Sequence, residues 1–136
     1  MSDDERYVDD YPTCAATYAT LRIYTGEMTP DIVTATLQLE PSKTICEGKD
    51  DAHLNGWFLS SKGLIDSRDL RRHLDWVLER IRGRESELRS LQSQPAVRMD
   101  VFCYWASEQG HGGPTLNPKQ MRELADLNLT IGFDCY

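Results

Sequence analysis

Val97, Met99, Val101, Cys103 and Trp105 alternate along the chain with Arg98, Asp100, Phe102 and Tyr104. The same period of two recurs where Ala19, Leu21 and Ile23 interleave with Tyr18, Thr20, Arg22 and Tyr24. It recurs once more where Leu129, Ile131, Phe133 and Cys135 interleave with Thr130, Gly132, Asp134 and Tyr136. Successive side chains of a strand point to opposite faces, so each segment has one apolar side and one aromatic and charged side. A parallel sheet buried on both faces would instead read as nearly unbroken apolar runs. The pattern therefore demands a sheet covered by helices on one face, with the other face open.

The rest of the chain supplies those helices. Thr29-Pro30-Asp31 is a helix start, with a hydroxyl cap, proline at the first helical position and an acid in the first turn, and Pro41 closes the helix. Thr44-Ile45-Cys46 and Trp57-Phe58-Leu59 read as short strands. Leu70, Leu74, Val77, Ile81, Leu88 and Leu91 recur at helical spacing after a cap expected at Asp66 or Ser67. Gly83 interrupts that helix, and a second segment is expected from Arg84-Glu85. Asn117-Pro118 with Gln120 forms a capping-box start, and Met121, Leu124 and Leu127 supply the apolar side of a last helix. The resulting order predicts an α+β domain over residues 12–136. Its form is a ferredoxin-like β-α-β-β-α-β sheet with helices on one face, extended by a C-terminal α-β pair with a parallel edge strand. Residues 1–11, with Asp3, Asp4, Glu5, Asp9 and Asp10, read as an acidic disordered tail.

Composition narrows the function classes. The 136 residues carry a net charge of −7, which argues against a nucleic-acid partner, since phosphate binding depends on clustered Lys and Arg. No apolar run approaches the roughly 18 residues of a membrane span, so no membrane partner is expected. The acidic start Met1-Ser-Asp-Asp-Glu resembles neither a secretory signal nor a transit peptide, and a cytoplasmic location is expected. Cys14, Cys46, Cys103 and Cys135 lie far apart with no ligand spacing, which predicts plain buried or half-buried thiols. No metal and no cofactor is expected.

Two sets of candidate residues emerge. On the open face, Tyr18, Arg22, Tyr24, Arg98, Phe102, Tyr104 and Tyr136 form an aromatic and charged set, with Asp100 and Asp134 among them. Aromatics with arginine are typical anchors of protein interfaces, although cross-strand pairs of these types also stiffen a solvated sheet. The second set centres on the Gly-rich loop Ser107–Thr115, where Ser107, Gly110, His111 and Gly113 permit close backbone approach to a ligand and Trp57, Ser61 and Trp105 are its expected neighbours. The phosphate-loop pattern G-x-x-x-x-G-K-[ST] is absent there, and a flexible connection explains the same composition. Ser60, Ser61, His53 and His73 make no nucleophile elbow or triad pattern, and His73 reads as a structural histidine on the long helix. No catalytic residue is assigned.

At Ala19–Ile23, Gly56–Ser61, Trp105–Ser107 with Gly110–Gly113, and Phe133–Tyr136, the chain resembles the bacterial domain-of-unknown-function family 4279. The likeness spans nearly all of the chain after the acidic tail. It implies a bacterial cytosolic protein in which Trp57, Trp105, Ser61 and the glycine loop recur, and it carries over no catalytic residue. The expected function is a non-catalytic binding module whose open face engages a protein partner or forms a homodimer, with an immunity-type, toxin-neutralising role as one version. The alternative is a small-molecule binder or cryptic enzyme using the loop at residues 107–115.

Overall fold

The alternating segments around Leu21 and Val101 become the two longest strands, paired side by side. In the computed structural model, which describes residues 7–46 and 55–136, the chain runs β1 (Cys14–Gly26), α1 (Asp31–Leu37), β2 (Lys43–Ile45) and β3 (Asn55–Ser60). It continues through α2 (Leu70–Ile81), α3 (Glu85–Gln92), β4 (Arg98–Ser107), α4 (Pro118–Asp126) and β5 (Thr130–Cys135). The strands form one sheet in the order β2-β3-β1-β4-β5. β1 is antiparallel to both β3 and β4, β2 is antiparallel to β3, and β5 lies parallel to β4. The chain is thus α+β, with a mixed five-stranded sheet and four helices among the described residues.

Alternation is obeyed where strands are central. Ala19, Leu21 and Ile23 of β1 and Val101, Cys103 and Trp105 of β4 are buried, together with Trp57 and Leu59 of β3. They join Val33 and Leu37 of α1, Leu70, Leu74, Val77, Leu78 and Ile81 of α2, Leu88 and Leu91 of α3 and Leu124 of α4 in one core cluster. Burying a Leu or Ile side chain is worth about 1.5–3 kcal/mol, so this layer dominates stability. On β5 the rule weakens: Ile131 is half-buried, while Phe133 remains 38% exposed and Cys135 is exposed. An edge strand has a neighbour on one side only, and the helices do not reach past it. Cys46 is exposed as well, so two of the four thiols depart from the expected burial.

Helix ends follow local chemistry with two departures. Asn117 and Gln120 make the full capping box, and Gly83 at φ +84° separates α2 from α3 as expected. Thr29 does not cap α1, which starts from Pro30 without a side-chain cap. The cap of α2 is Asp69, whose carboxylate accepts from Arg71 N, and Ser67 supports it by accepting from Asp69 N at 3.0 Å. Of the segment expected as a tail, residues 7–11 lie against the domain. Val8 N donates to Asp69 at 2.7 Å, Asp9 accepts from Ser67 at 2.6 Å and from Arg72 at 2.9 Å, and Tyr7 donates to Asp75. Residues 1–6 and the polar loop with His53 lie outside the described residues.

Candidate interaction face of the sheet

Register decides which side chains share the uncovered face. Tyr18 lies opposite Tyr104, Arg22 opposite both Asp100 and Phe58, and Tyr24 opposite Arg98. Phe102 pairs with Gly132 and Tyr104 with Asp134, which carries the face on to β5 and Tyr136. All seven residues expected on the open face are therefore on it. The structure adds Phe58, Lys43 and Lys62, which sequence reasoning passed over. Phe58 sat inside a run that looked uniformly apolar, yet its neighbours Trp57 and Leu59 point to the core and it alone points outward.

These side chains interlock in two rows. In the first, Tyr136, Tyr104 and Tyr18 follow one another at ring-centroid separations of 5.6 and 5.1 Å, and Lys62 Nζ lies 5.3 Å from the centre of the Tyr18 ring. In the second, the Arg22 guanidinium lies 4.0 Å from the centre of the Phe102 ring and 5.7 Å from that of Tyr24. Tyr24 meets Phe58 edge-on at 5.7 Å, and Lys43 Nζ stands 5.7 Å from the Phe58 ring centre. Both ranges suit aromatic pairing and cation–π attraction. Two glycines let the rings lie low: a Cβ on Gly56 would sit 2.7 Å from Phe58, and one on Gly132 would sit 3.3 Å from Phe102.

Charge on this face differs in sign from the chain as a whole. Arg22 donates Nε and Nη2 to Asp100 at 2.8 and 2.7 Å, a bidentate pair that raises the arginine pKa and cancels both charges. Lys43, Lys62 and Arg98 have no carboxylate at ion-pair distance among the described residues, and Asp134 is the one other acid on the strands of this face. Asp134 accepts from Tyr136 Oη at 3.1 Å, which raises the phenol pKa. A depression of about 350 Å³ opens between the two lysines, with Tyr18 and Phe58 as walls and Thr20, Ser42 and Ser60 contributing hydroxyls.

The second candidate set does not assemble. Trp57 and Trp105 are 0% and 2% exposed and lie on the helix side of the sheet, where Trp57 Nε1 donates to Thr34 Oγ1 at 3.0 Å. Ser107 donates its hydroxyl to the His111 carbonyl at 2.7 Å, Gly110 and His111 are exposed, and Gly113 accepts from Tyr11 Oη at 2.9 Å. Gly112 packs so closely on Thr13 that a Cβ there would lie 2.5 Å away. The loop is thus fastened to the segment before β1, and it lines none of the three surface depressions described among these residues.

Ser61 is fully buried beside His73, not near the loop. Its hydroxyl lies 2.6 Å from His73 Nδ1 and accepts from Ala19 N at 3.1 Å, while His73 Nε2 lies 2.8 Å from the Ser67 carbonyl. A carbonyl only accepts, which assigns the ring proton to Nε2 and makes Nδ1 the acceptor of the serine proton. Burial pushes the His73 pKa down. The pair has the donor order of a nucleophile and its base, but both members are sealed in the core, as expected of a structural histidine.

The geometry defines a class first: an α+β domain with helices on one side of its sheet and a bare aromatic layer on the other. Within that class, the chain belongs to the family described as domain of unknown function (DUF4279), whose model matches residues 15–136. No curated protein and no solved structure matches it.

Proposed function

We propose that this protein is a non-catalytic binding module whose bare sheet face takes an acidic segment of a protein partner. The observation that carries the reading is a positive, aromatic face on a chain of net charge −7. Aromatic rings and arginine supply contact area that is already ordered, and Lys43, Lys62 and Arg98 supply charge that nothing on the strands neutralises. Two copies joined through this face would oppose like charges, so the occupant is a different protein. A toxin-neutralising role is one form this binding takes. A ligand site at residues 107–115 is not favoured, because Trp57, Ser61 and Trp105 are buried away from that loop.

The antiparallel neighbours in β2-β3-β1-β4 support a split β-α-β reading of the first four strands, with α4 and β5 appended. The four free thiols suit the reducing cytoplasm of a bacterial cell.

Selection of a displayed peptide library on the purified protein tests the proposal. Enriched peptides should be rich in Asp and Glu, and a Lys43→Glu, Lys62→Glu double variant should lose at least about tenfold in affinity for them, one desolvated contact's worth. Peptides without acidic residues, or equal binding by the double variant, would overturn it.

A further inference from the structure

We infer that β5 is the contact strand of a twofold homodimer in which the sheet continues from one copy into the next. Pattern and burial disagree along this strand. Leu129, Ile131, Phe133 and Cys135 alternate as one side of a buried strand, yet Phe133 is 38% exposed and Cys135 is exposed. Tyr136, the next residue, is 70% exposed. A strand with an interior pattern at an open edge lacks a neighbour.

The backbone points the same way. Among the described residues, β5 is the last strand of the sheet and pairs with β4 alone. Tyr136 donates to Trp105 O at 3.0 Å and accepts from Ser107 N at 2.7 Å, so its polar backbone faces β4. Backbone groups alternate sides along a strand, which aims the N–H and C=O groups of Ile131, Phe133 and Cys135 at the free edge. Edges are normally blunted by lysine, proline, a bulge or brevity. The opposite edge, β2, is three residues long and carries Lys43. β5 has six residues, no proline and no lysine.

A second copy is the occupant because the strand complements itself. Antiparallel pairing about a twofold axis at Gly132 places Ile131 opposite Phe133 of the other copy, and Phe133 opposite its Ile131. These are the residues whose backbones face outward, so both pairs exchange hydrogen bonds. On the other face, Thr130 falls opposite Asp134, a hydroxyl donor against a carboxylate, and no charge meets its like. Gly132 meets Gly132 on the axis as a non-hydrogen-bonded pair with no side chains to clash. Such pairing is closed: it uses up both β5 edges and leaves only the short, lysine-bearing β2 edges outside.

Light scattering over a range of concentrations, followed by oxidative cross-linking, tests this register. With Cys46→Ser and Cys135→Ser as background, Thr130→Cys in one copy and Asp134→Cys in another should form a disulfide-linked pair on mixing. The two Cα atoms would lie about 4.5 Å apart, within disulfide reach. Thr130→Cys alone should not link efficiently. Phe133→Lys, at an exposed position, should convert the dimer to monomer. Tyr104→Ala on the bare face should leave it dimeric, which separates this edge from that face. A monomer at every concentration overturns the inference. So does a dimer that survives Phe133→Lys, or one that fails to give the mixed disulfide.

Discussion

The two faces of the sheet are built from the same strands by opposite rules. On the helix side, β1, β3 and β4 present aliphatic residues and two tryptophans, and nearly every polar atom among them is matched. On the bare side the same strands present tyrosine, phenylalanine, arginine and lysine, which satisfy one another through ring contacts and a bidentate ion pair. The first face is held by removal from water, the second by mutual pairing in contact with it. Stability should therefore reside on one side and recognition on the other.

Truncation experiments give the comparison its sharpest form. Leu74→Ala, at a fully buried position on α2, should lower unfolding free energy by about 2–5 kcal/mol in urea titrations. Tyr104→Ala, which removes the partner of both Tyr18 and Tyr136, should cost about 1 kcal/mol or less. Equal losses would show that the bare face is a second core and not a surface held ready for a partner.

Acid should strike the buried side first. His73 binds its proton less readily folded than unfolded, so the unfolded chain takes up more protons as pH falls below the ordinary histidine value of about 6.5. Stability present above that pH is lost progressively beneath it. Asp9, held below its usual value chiefly by the Ser67 hydroxyl, adds a further loss only at the lower pH where carboxylates protonate. Urea midpoints at pH 7.5 and 5.5 should differ, and His73→Gln should shrink that difference. An unchanged step in the variant would place its origin elsewhere.

The smallest effect separates the two tryptophans. Trp57 Nε1 has an acceptor in Thr34, whereas Trp105 Nε1 is buried with no partner among the described residues. Replacing each by phenylalanine removes similar volume, but only Trp57→Phe also forfeits a hydrogen bond, leaving it about 1 kcal/mol worse than Trp105→Phe. Matched denaturation midpoints would indicate that Trp105 has an acceptor after all.

How much of this could be read beforehand depended on how local the physics was. The alternation of β1 and β4, the capping box at Asn117 and Gln120 and the break at Gly83 are each written within a few residues, and they were legible. Thr29 precedes α1 without capping it, because a favourable cap residue guarantees no hydrogen bond. Trp57 and Trp105 could not be assigned to core or site by residue type alone, since tryptophan serves both; the pairing of strands sets Trp57 opposite Ile23 and Trp105 opposite Thr17, both buried. Lys43 and Lys62 reach the aromatic face from β2 and from just beyond β3, a meeting that needs the strand order β2-β3-β1. The exposure of Phe133 depends on β5 being last in the sheet, which no window of sequence contains.

The unequal burial of the four thiols makes the molecule its own ruler. Cys103 is pushed up to about 12 by burial and Cys14 is raised for the same reason, so both resist alkylation at neutral pH. The exposed thiols, Cys46 and Cys135, stand at opposite margins of the sheet, one just after β2 and the other in β5. Four strand spacings separate those margins, on the order of 20 Å. Cys46 follows Ile45, in line with Gly56, Tyr24 and Arg98, whereas Cys135 pairs with Trp105 at the other end of β4, so spin labels attached to the native protein would report the diagonal of the sheet in solution without any substitution.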